Sequence, residues 1–203
     1  MEALTEADQI SEIAFGFMGS KALFAALAER WGKLDFLLHS IAFAPREDLH
    51  GRVTDCSREG FDMAMNVSCH SFIRMARHAE PLMKDGGALM TMSYYGAEKV
   101  VDRYNLMGPV KAALEASVRY LAVELGPKNI RVYAVSPGPL KTRAASGIDR
   151  FDELMDQAAA RAPNHALVTI EQVGDVAAFL ASEAAAGMTG NVVYVDNGYN
   201  VVG

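Results

Sequence analysis

The sequence predicts an α/β fold: a doubly wound parallel sheet with helices packed on both of its faces. Two observations predict it. Apolar runs of strand length at residues 34–42, 88–92, 129–135 and 191–195 are near-continuous rather than alternating, the pattern of strands buried on both sides. Between them lie stretches of helical periodicity, and strands that alternate with helices imply right-handed crossovers and parallel pairing. The 203 residues, 51% hydrophobic and 22% charged, suit one domain with a sizeable core, on a prior of about 150 residues per domain.

Residues 20–32 repeat Ala, Leu and Phe at helical spacing, with Ser20 as N-cap and Gly32 as a stop. The strand over 34–42 is interrupted only by Asp35, His39 and Ser40. Residues 57–83 read as one long helix, apolar at Phe61, Met65, Phe72, Ile73 and Met75, with a capping-box-like start at Ser57-Arg58-Glu59-Gly60. Gly86 and Gly87 precede the strand over 88–92. Pro109 suits a first helical position, where its missing N–H is an orphan in any case. Residues 111–125 then form an amphipathic helix ended by Gly126-Pro127. The strand over 129–135 closes on Ser136-Pro137-Gly138-Pro139, and the polar, Ala-rich stretch 142–163 predicts short helices over the mouth of a site. Thr169 caps a helix over 170–181, and the strand over 191–195 precedes Asn197-Gly198.

Composition excludes several classes. A net charge of -6 argues against nucleic acid, which needs a basic face. Cys56 and Cys69 make no disulfide framework, and His39, His50, His70, His78 and His165 show no metal-ligand spacing, so these residues read as structural and no metal is expected. The start, Met1-Glu2-Ala3-Leu4-Thr5-Glu6, lacks a signal-peptide profile. No apolar run reaches the roughly 20 residues of a membrane helix. A soluble, cytoplasmic protein is expected.

The chemistry concentrates where an apolar strand ends and a helix begins, the edge at which open α/β sheets place their sites. Ser93-Tyr94-Tyr95-Gly96-Ala97-Glu98-Lys99 is followed by Tyr104-Asn105-Leu106-Met107-Gly108-Pro109-Val110-Lys111. A phenol beside a cation can offer a proton to a developing oxyanion, and the cation can hold a ribose hydroxyl. Two pairs compete. Tyr95 and Lys99 stand one helical turn apart, but Tyr95 lies almost on the strand end and Val100-Val101-Asp102 is a poor helix start. Tyr104 and Lys111 stand about two turns apart on one face if helical, and Lys111-Ala112-Ala113-Leu114-Glu115 opens a strong helix. Context selects Tyr104 and Lys111, with Tyr94 as a second phenol and Tyr95 and Lys99 as exposed turn residues.

These motifs, together with His39-Ser40-Ile41-Ala42-Phe43-Ala44-Pro45, the run Gly138-Pro139-Leu140-Lys141-Thr142-Arg143-Ala144-Ala145-Ser146-Gly147-Ile148 and the tail 190–198, resemble the enoyl-acyl-carrier-protein reductases. That family is the divergent branch of the short-chain dehydrogenases with six residues between Tyr and Lys. The resemblance runs from about Leu23 to the C-terminus and implies a Rossmann-like domain over 23–203, behind an atypical segment, 1–22. It implies reduction of a trans-2-enoyl thioester on acyl carrier protein by NADH, in a homo-oligomer. Tyr104 would stabilise the enolate oxygen, Tyr94 would stand near the substrate carbonyl, and Lys111 would hold the nicotinamide ribose. Ile41, Met92, Leu140, Thr142 and Ala144 would line the nicotinamide pocket. Ala44, Tyr94, Met107 and Leu154 would meet the substrate, with 144–154 as a lid.

One part of the family pattern is not visible. The family opens with a strand and a glycine-rich loop that holds the cofactor pyrophosphate at a helix N-terminus. A βαβ unit takes about 30 residues or more, yet the strand at Leu34 arrives almost at once, and only Gly16-Phe17-Met18-Gly19-Ser20 is a candidate loop. The expectations that follow are an N-terminally truncated domain, weakened NADH binding and an exposed sheet edge at the first strand. The alternative reading is a truncated, non-catalytic homologue serving as an assembly or binding subunit.

Overall fold

The computed structural model describes residues 19–140 and 151–202. Helix α1 (Gly19–Trp31) leads to strand β1 (Phe36–His39), then α2 (Arg46–His50), α3 (Arg58–Met65) and α4 (Ser71–Ala79). Strand β2 (Gly87–Met92), helix α5 (Met107–Leu125) and strand β3 (Ile130–Pro137) follow. The chain continues through α6 (Phe151–Arg161), α7 (Ile170–Ala181), strand β4 (Val192–Val195) and α8 (Tyr199–Val202). Among the described residues the sheet has the order β1-β2-β3-β4 with every pair parallel.

Strand periodicity divides the core into two layers. Leu37, Leu89, Val132 and Ala134 point to one face, where Ala64, Phe72, Val110, Leu114 and Val118 of the helices before β3, with Leu106 from the turn ahead of α5, cover them. Their neighbours Ala88, Met90, Tyr133 and Val135 point to the other, against Val173 and Leu180 of α7. The sheet is therefore doubly wound, as its continuous apolar runs require. At β1 the second layer stops: Leu37 and His39 are buried while Phe36 and Leu38 are 54% and 43% exposed. Among the described residues β1 is the expected exposed edge.

Several element boundaries differ from expectation for local reasons. Ser20 lies inside α1 rather than at its N-cap, while Gly32 does stop the helix at φ +72°. The first strand pairs over only four of its nine expected residues. Pro109 is the third residue of α5, not the first, but every N–H of an opening turn is an orphan, so it costs nothing there. The box at Ser57 is incomplete because Gly60, not Glu59, stands at the third helical position. The Gly60 N–H donates to Ser57 Oγ at 2.9 Å, and the reciprocal carboxylate comes from Asp48 of α2, accepting from the Ser57 N–H at 2.6 Å and hydroxyl at 3.0 Å. A Cβ at position 60 would overlap that carboxylate.

The long helix over 57–83 forms, but with a π turn at Asn66–His70 between α3 and α4. Such bulges occur often at functional sites, and this one presents Ser68 to the loop after β1. Ser68 Oγ accepts from the Phe43 N–H at 2.9 Å and donates to the Phe43 carbonyl at 3.0 Å. Asn66 Oδ1 accepts from Arg74 at 3.1 Å. Buried His39 has a partner on each ring nitrogen: Ser71 Oγ donates to the Val67 carbonyl at 2.6 Å, so its lone pair takes the His39 Nε2–H at 2.7 Å, and Nδ1 accepts from Thr91 at 2.8 Å. Burial, with the charge of Lys111, pushes its pKa down to about 4.

Candidate active site

The site is built where β2 runs out. Ser93 extends the ladder by one bond, its N–H donating to the Val135 carbonyl at 2.7 Å, and Tyr94 follows in extended backbone before a short turn at Tyr95–Ala97. Chain direction then reverses through two non-glycine residues in the left-handed region, Arg103 at φ 63° and Asn105 at φ 41°. They flank Tyr104. Asn tolerates this region better than other side chains, and Asn105 Nδ2 ties the turn to α2 by donating to the Leu49 carbonyl at 2.9 Å. Tyr104 therefore stands in the turn ahead of α5, not on the helical face that its spacing to Lys111 suggested.

The two phenols pack together, ring centroids 4.8 Å apart and planes inclined at 60°. Burial is the main reason both stay protonated well above the ordinary phenol range; Tyr94 and Glu115 add to it for Tyr104, and Tyr199 and Asp196 for Tyr94. Lys111, on the second turn of α5, is buried and donates from Nζ to the Met92 carbonyl at 2.6 Å. Burial pushes its pKa down to about 8, with Cys69 and Glu115 acting the other way. Near neutral pH the site thus offers protonated phenols beside a buried cation, an arrangement suited to negative charge forming on a substrate oxygen. A cavity of about 500 Å³ lies beside β4 and α7, lined by Gln172, Asp175 and Asp196, and none of Tyr94, Tyr104 and Lys111 lines it.

A family profile described as "Enoyl-(Acyl carrier protein) reductase" matches residues 19–200. An enoyl-[acyl-carrier-protein] reductase [NADH] of Rhizobium meliloti is 51% identical over 182 residues, 90% of this chain and 67% of that protein. The chain belongs to the enoyl-(acyl carrier protein) reductase family. The Aquifex aeolicus enoyl-[acyl-carrier-protein] reductase [NADH] is 50% identical over 90% of this chain and 68% of its own length. Two solved reductases superpose closely: that of Anaplasma phagocytophilum in complex with NAD (TM-score 0.89, 47% identity, 94% of this chain and 72% of that one) and that of Bacillus cereus with NADP+ and indole naphthyridinone (TM-score 0.90, 42% identity, 94% and 74%).

In this reductase-family chain the sequence-derived residues fall into three groups. Tyr94, Tyr104, Lys111 and Met92 meet at the end of β2. Ile41 and Ala44 follow β1 and Leu140 follows β3, so parallel pairing brings them to the same edge of the sheet. Met107 opens α5 and is buried in the core beside Tyr104 and Leu106. Leu154 of α6 instead lines a cleft of about 280 Å³ with Tyr95, Lys99, Val101 and Tyr199. Thr142 and Ala144 lie outside the described residues, as does most of the expected lid. Tyr95, expected to be exposed, is 4% exposed and packs edge-on against Tyr199 at 5.5 Å, whereas Lys99 is exposed as expected. Sequence reasoning missed Gly96, Asn105, Ser93 and Glu115. A tolerant Asn just before a helix was a readable signal; the buried Ser93–Glu115 contact, 22 positions apart, was not.

Proposed function

We propose that this chain reduces the double bond of an enoyl thioester carried by acyl carrier protein, with NADH as hydride donor. The observation that carries the reading is the juxtaposition of Tyr94, Tyr104 and buried Lys111 at the carboxyl end of the central strands. When bound, NADH supplies a hydride to the β-carbon of the substrate. Negative charge then develops on the thioester oxygen as an enolate, and the Tyr104 hydroxyl, held protonated by burial, donates a hydrogen bond to it. A proton taken from solvent at the α-carbon re-forms the carbonyl and completes the reduction. Lys111 spends one of its three N–H groups on Met92, so it can also hold a ribose hydroxyl while its charge favours the enolate. The Tyr94 hydroxyl is buried without a protein partner, which fits a second donor near the substrate carbonyl.

Ile41, Met92, Leu140, Thr142 and Ala144 form the nicotinamide side in this reading. Ala44, Met107 and Leu154 form the acyl side. Positions of Ile41, Met92 and Leu140 at the ends of three adjacent parallel strands support it. Of the candidate loop, Gly16-Phe17-Met18 lies outside the described residues and Gly19 and Ser20 open α1; weakened NADH binding is part of the proposal. A homo-oligomer completes the proposal.

The test is NADH oxidation dependent on crotonyl thioester, with Tyr104→Phe and Lys111→Ala beside the parent chain. Loss of one oxyanion donor should lower kcat about 10²–10³-fold, and Lys111→Ala should weaken NADH binding in a fluorescence titration. A parent chain that oxidises no NADH with this thioester would overturn the proposal.

A further inference from the structure

We propose that Glu115, acting through Ser93, is a positioning residue for the Tyr104–Lys111 pair. This inference rests on the reductase reading of the site. Two successive side-chain bonds join the end of β2 to α5. Lys111 Nζ donates to the Met92 carbonyl at 2.6 Å, and the Ser93 hydroxyl donates to Glu115 Oε1 at 2.5 Å. Met92 and Ser93 are adjacent, while Lys111 and Glu115 stand one helical turn apart on the same face of α5. The strand end is thus clamped at two consecutive residues. What it carries next is Tyr94, whose ring lies on Tyr104. A slip at Ser93 would move the carbonyl that holds the cation and the ring that supports the phenol together.

A carboxylate is an expensive means of packing this position. Glu115 is only 8% exposed, and burying an ionisable group against one hydroxyl is unfavourable unless geometry or charge makes use of it. The charge has a use here. Glu115 favours the ammonium form of Lys111, a group otherwise faced by His39 of β1 and Cys69 of the π turn. Around Glu115 itself stand Arg119 on α5, Glu98, Tyr104, and Tyr194 of β4, whose hydroxyl donates to Glu98 at 2.5 Å. Burial pushes the Glu115 carboxyl up from its ordinary range; the Ser93 hydrogen bond, Arg119 and Lys111 favour the carboxylate, and Glu98 opposes it.

The experiment compares Glu115→Gln, Glu115→Ala, Ser93→Ala and the Glu115→Ala/Ser93→Ala double variant of the full chain. Readouts are kcat, KM, thermal midpoint and the pH profile. Glu115→Ala and Ser93→Ala should each lower kcat about 10–100-fold with KM changed less than about threefold, the pattern of lost transition-state geometry. The double variant should be no worse than either single one, because both break the same link. Glu115→Gln keeps an acceptor of the same shape, so kcat should recover to within a few-fold. The alkaline limb of its profile should still move to lower pH, since a neutral amide no longer favours the Lys111 charge. Unchanged kcat in both alanine variants, or losses that simply multiply in the double variant, would overturn the proposal. Should Glu115→Ala not fold, the kcat of Ser93→Ala and the pH profile of Glu115→Gln decide the matter in its place. Should the parent chain prove inactive, the reductase reading fails on its own. The clamp is then read from the pH titration of Lys111 by NMR after reductive methylation, and an identical titration in parent and Glu115→Gln would sink it.

Discussion

The ring of Tyr104 lies in the space that a Cβ on Gly96 would need: an added methyl would overlap Cδ1 and crowd Cε1 of the phenol. The backbone of Gly96 is not left-handed, so the glycine is set by close approach and not by conformation. Here one residue of the turn after β2 decides whether the phenol reaches the strand end at all.

Gly96→Ala should therefore cost activity more than stability. Tyr104 is buried between Gly96 and Tyr94, and a displaced ring loses its hydroxyl position. Overpacking of this kind costs about 1–3 kcal/mol, while misplacing an oxyanion donor should lower kcat about 10²-fold or more. Steady-state kinetics beside thermal unfolding separates the two. An alanine variant with parental kcat would mean that Tyr104 moves without consequence.

Asn105 supplies a second test of the same turn. It adopts φ 41° and donates to the Leu49 carbonyl. Asn105→Gly keeps the left-handed backbone and loses only the tie to α2; Asn105→Val loses both and adds a β-branched clash. Strain of this kind costs about 1–3 kcal/mol, so unfolding should show Val well below Gly, with Gly about 1 kcal/mol below the parent for the lost bond. Equal stability of the two variants would remove the backbone argument.

The strand runs 88–92 and 129–135 and the helix 170–181 were legible because both faces or one whole face of each is apolar, a pattern local in sequence. The helix that carries Lys111 was legible for the same reason, since helix strength after Lys111 is a local property. What stayed hidden depends on contacts distant in sequence. Tyr95 reads as a turn residue until Tyr199 of α8 covers it. Glu115 looks like a solvated helix residue until Ser93 meets it. The start of α5 was misplaced because the turn at 102–106 is held by Asn105 and Leu49, not by any capping residue next to the helix.

His39 should make the fold acid-sensitive. Its folded pKa is about 4 against 6.5 for the free group, so below 6.5 the unfolded chain takes up a proton that the buried ring refuses. Stability from this group is complete above about 6.5 and falls as pH drops toward 4, by on the order of 2–3 kcal/mol. His39→Gln, which cannot titrate, should lose this step. Denaturant unfolding at several pH values from 7 to 4, parent against variant, measures it. A constant difference between the two across that range would show that His39 is not held neutral.

Lys111 should show opposite pH dependences for activity and for stability. Its folded pKa is about 8 against 10.5 for a free lysine. Raising pH through about 8 removes the charge that we propose holds the ribose and favours the enolate, so kcat/KM and NADH affinity should fall on that limb. Between about 8 and 10.5 the unfolded chain still holds the proton that the folded one has released, so the folded state gains stability as pH rises. The gain is on the order of 2–3 kcal/mol by 10.5. Lys111→Met fills the same space without a titrating group and should be inactive at every pH. Subtracting its unfolding free energy from that of the parent cancels the other lysines and tyrosines. The difference should shift in the parent's favour from pH 8 upward, while activity of the parent declines over the same range. A difference independent of pH would mean that Lys111 is not a buried cation, and the site would lose the charge on which its chemistry depends.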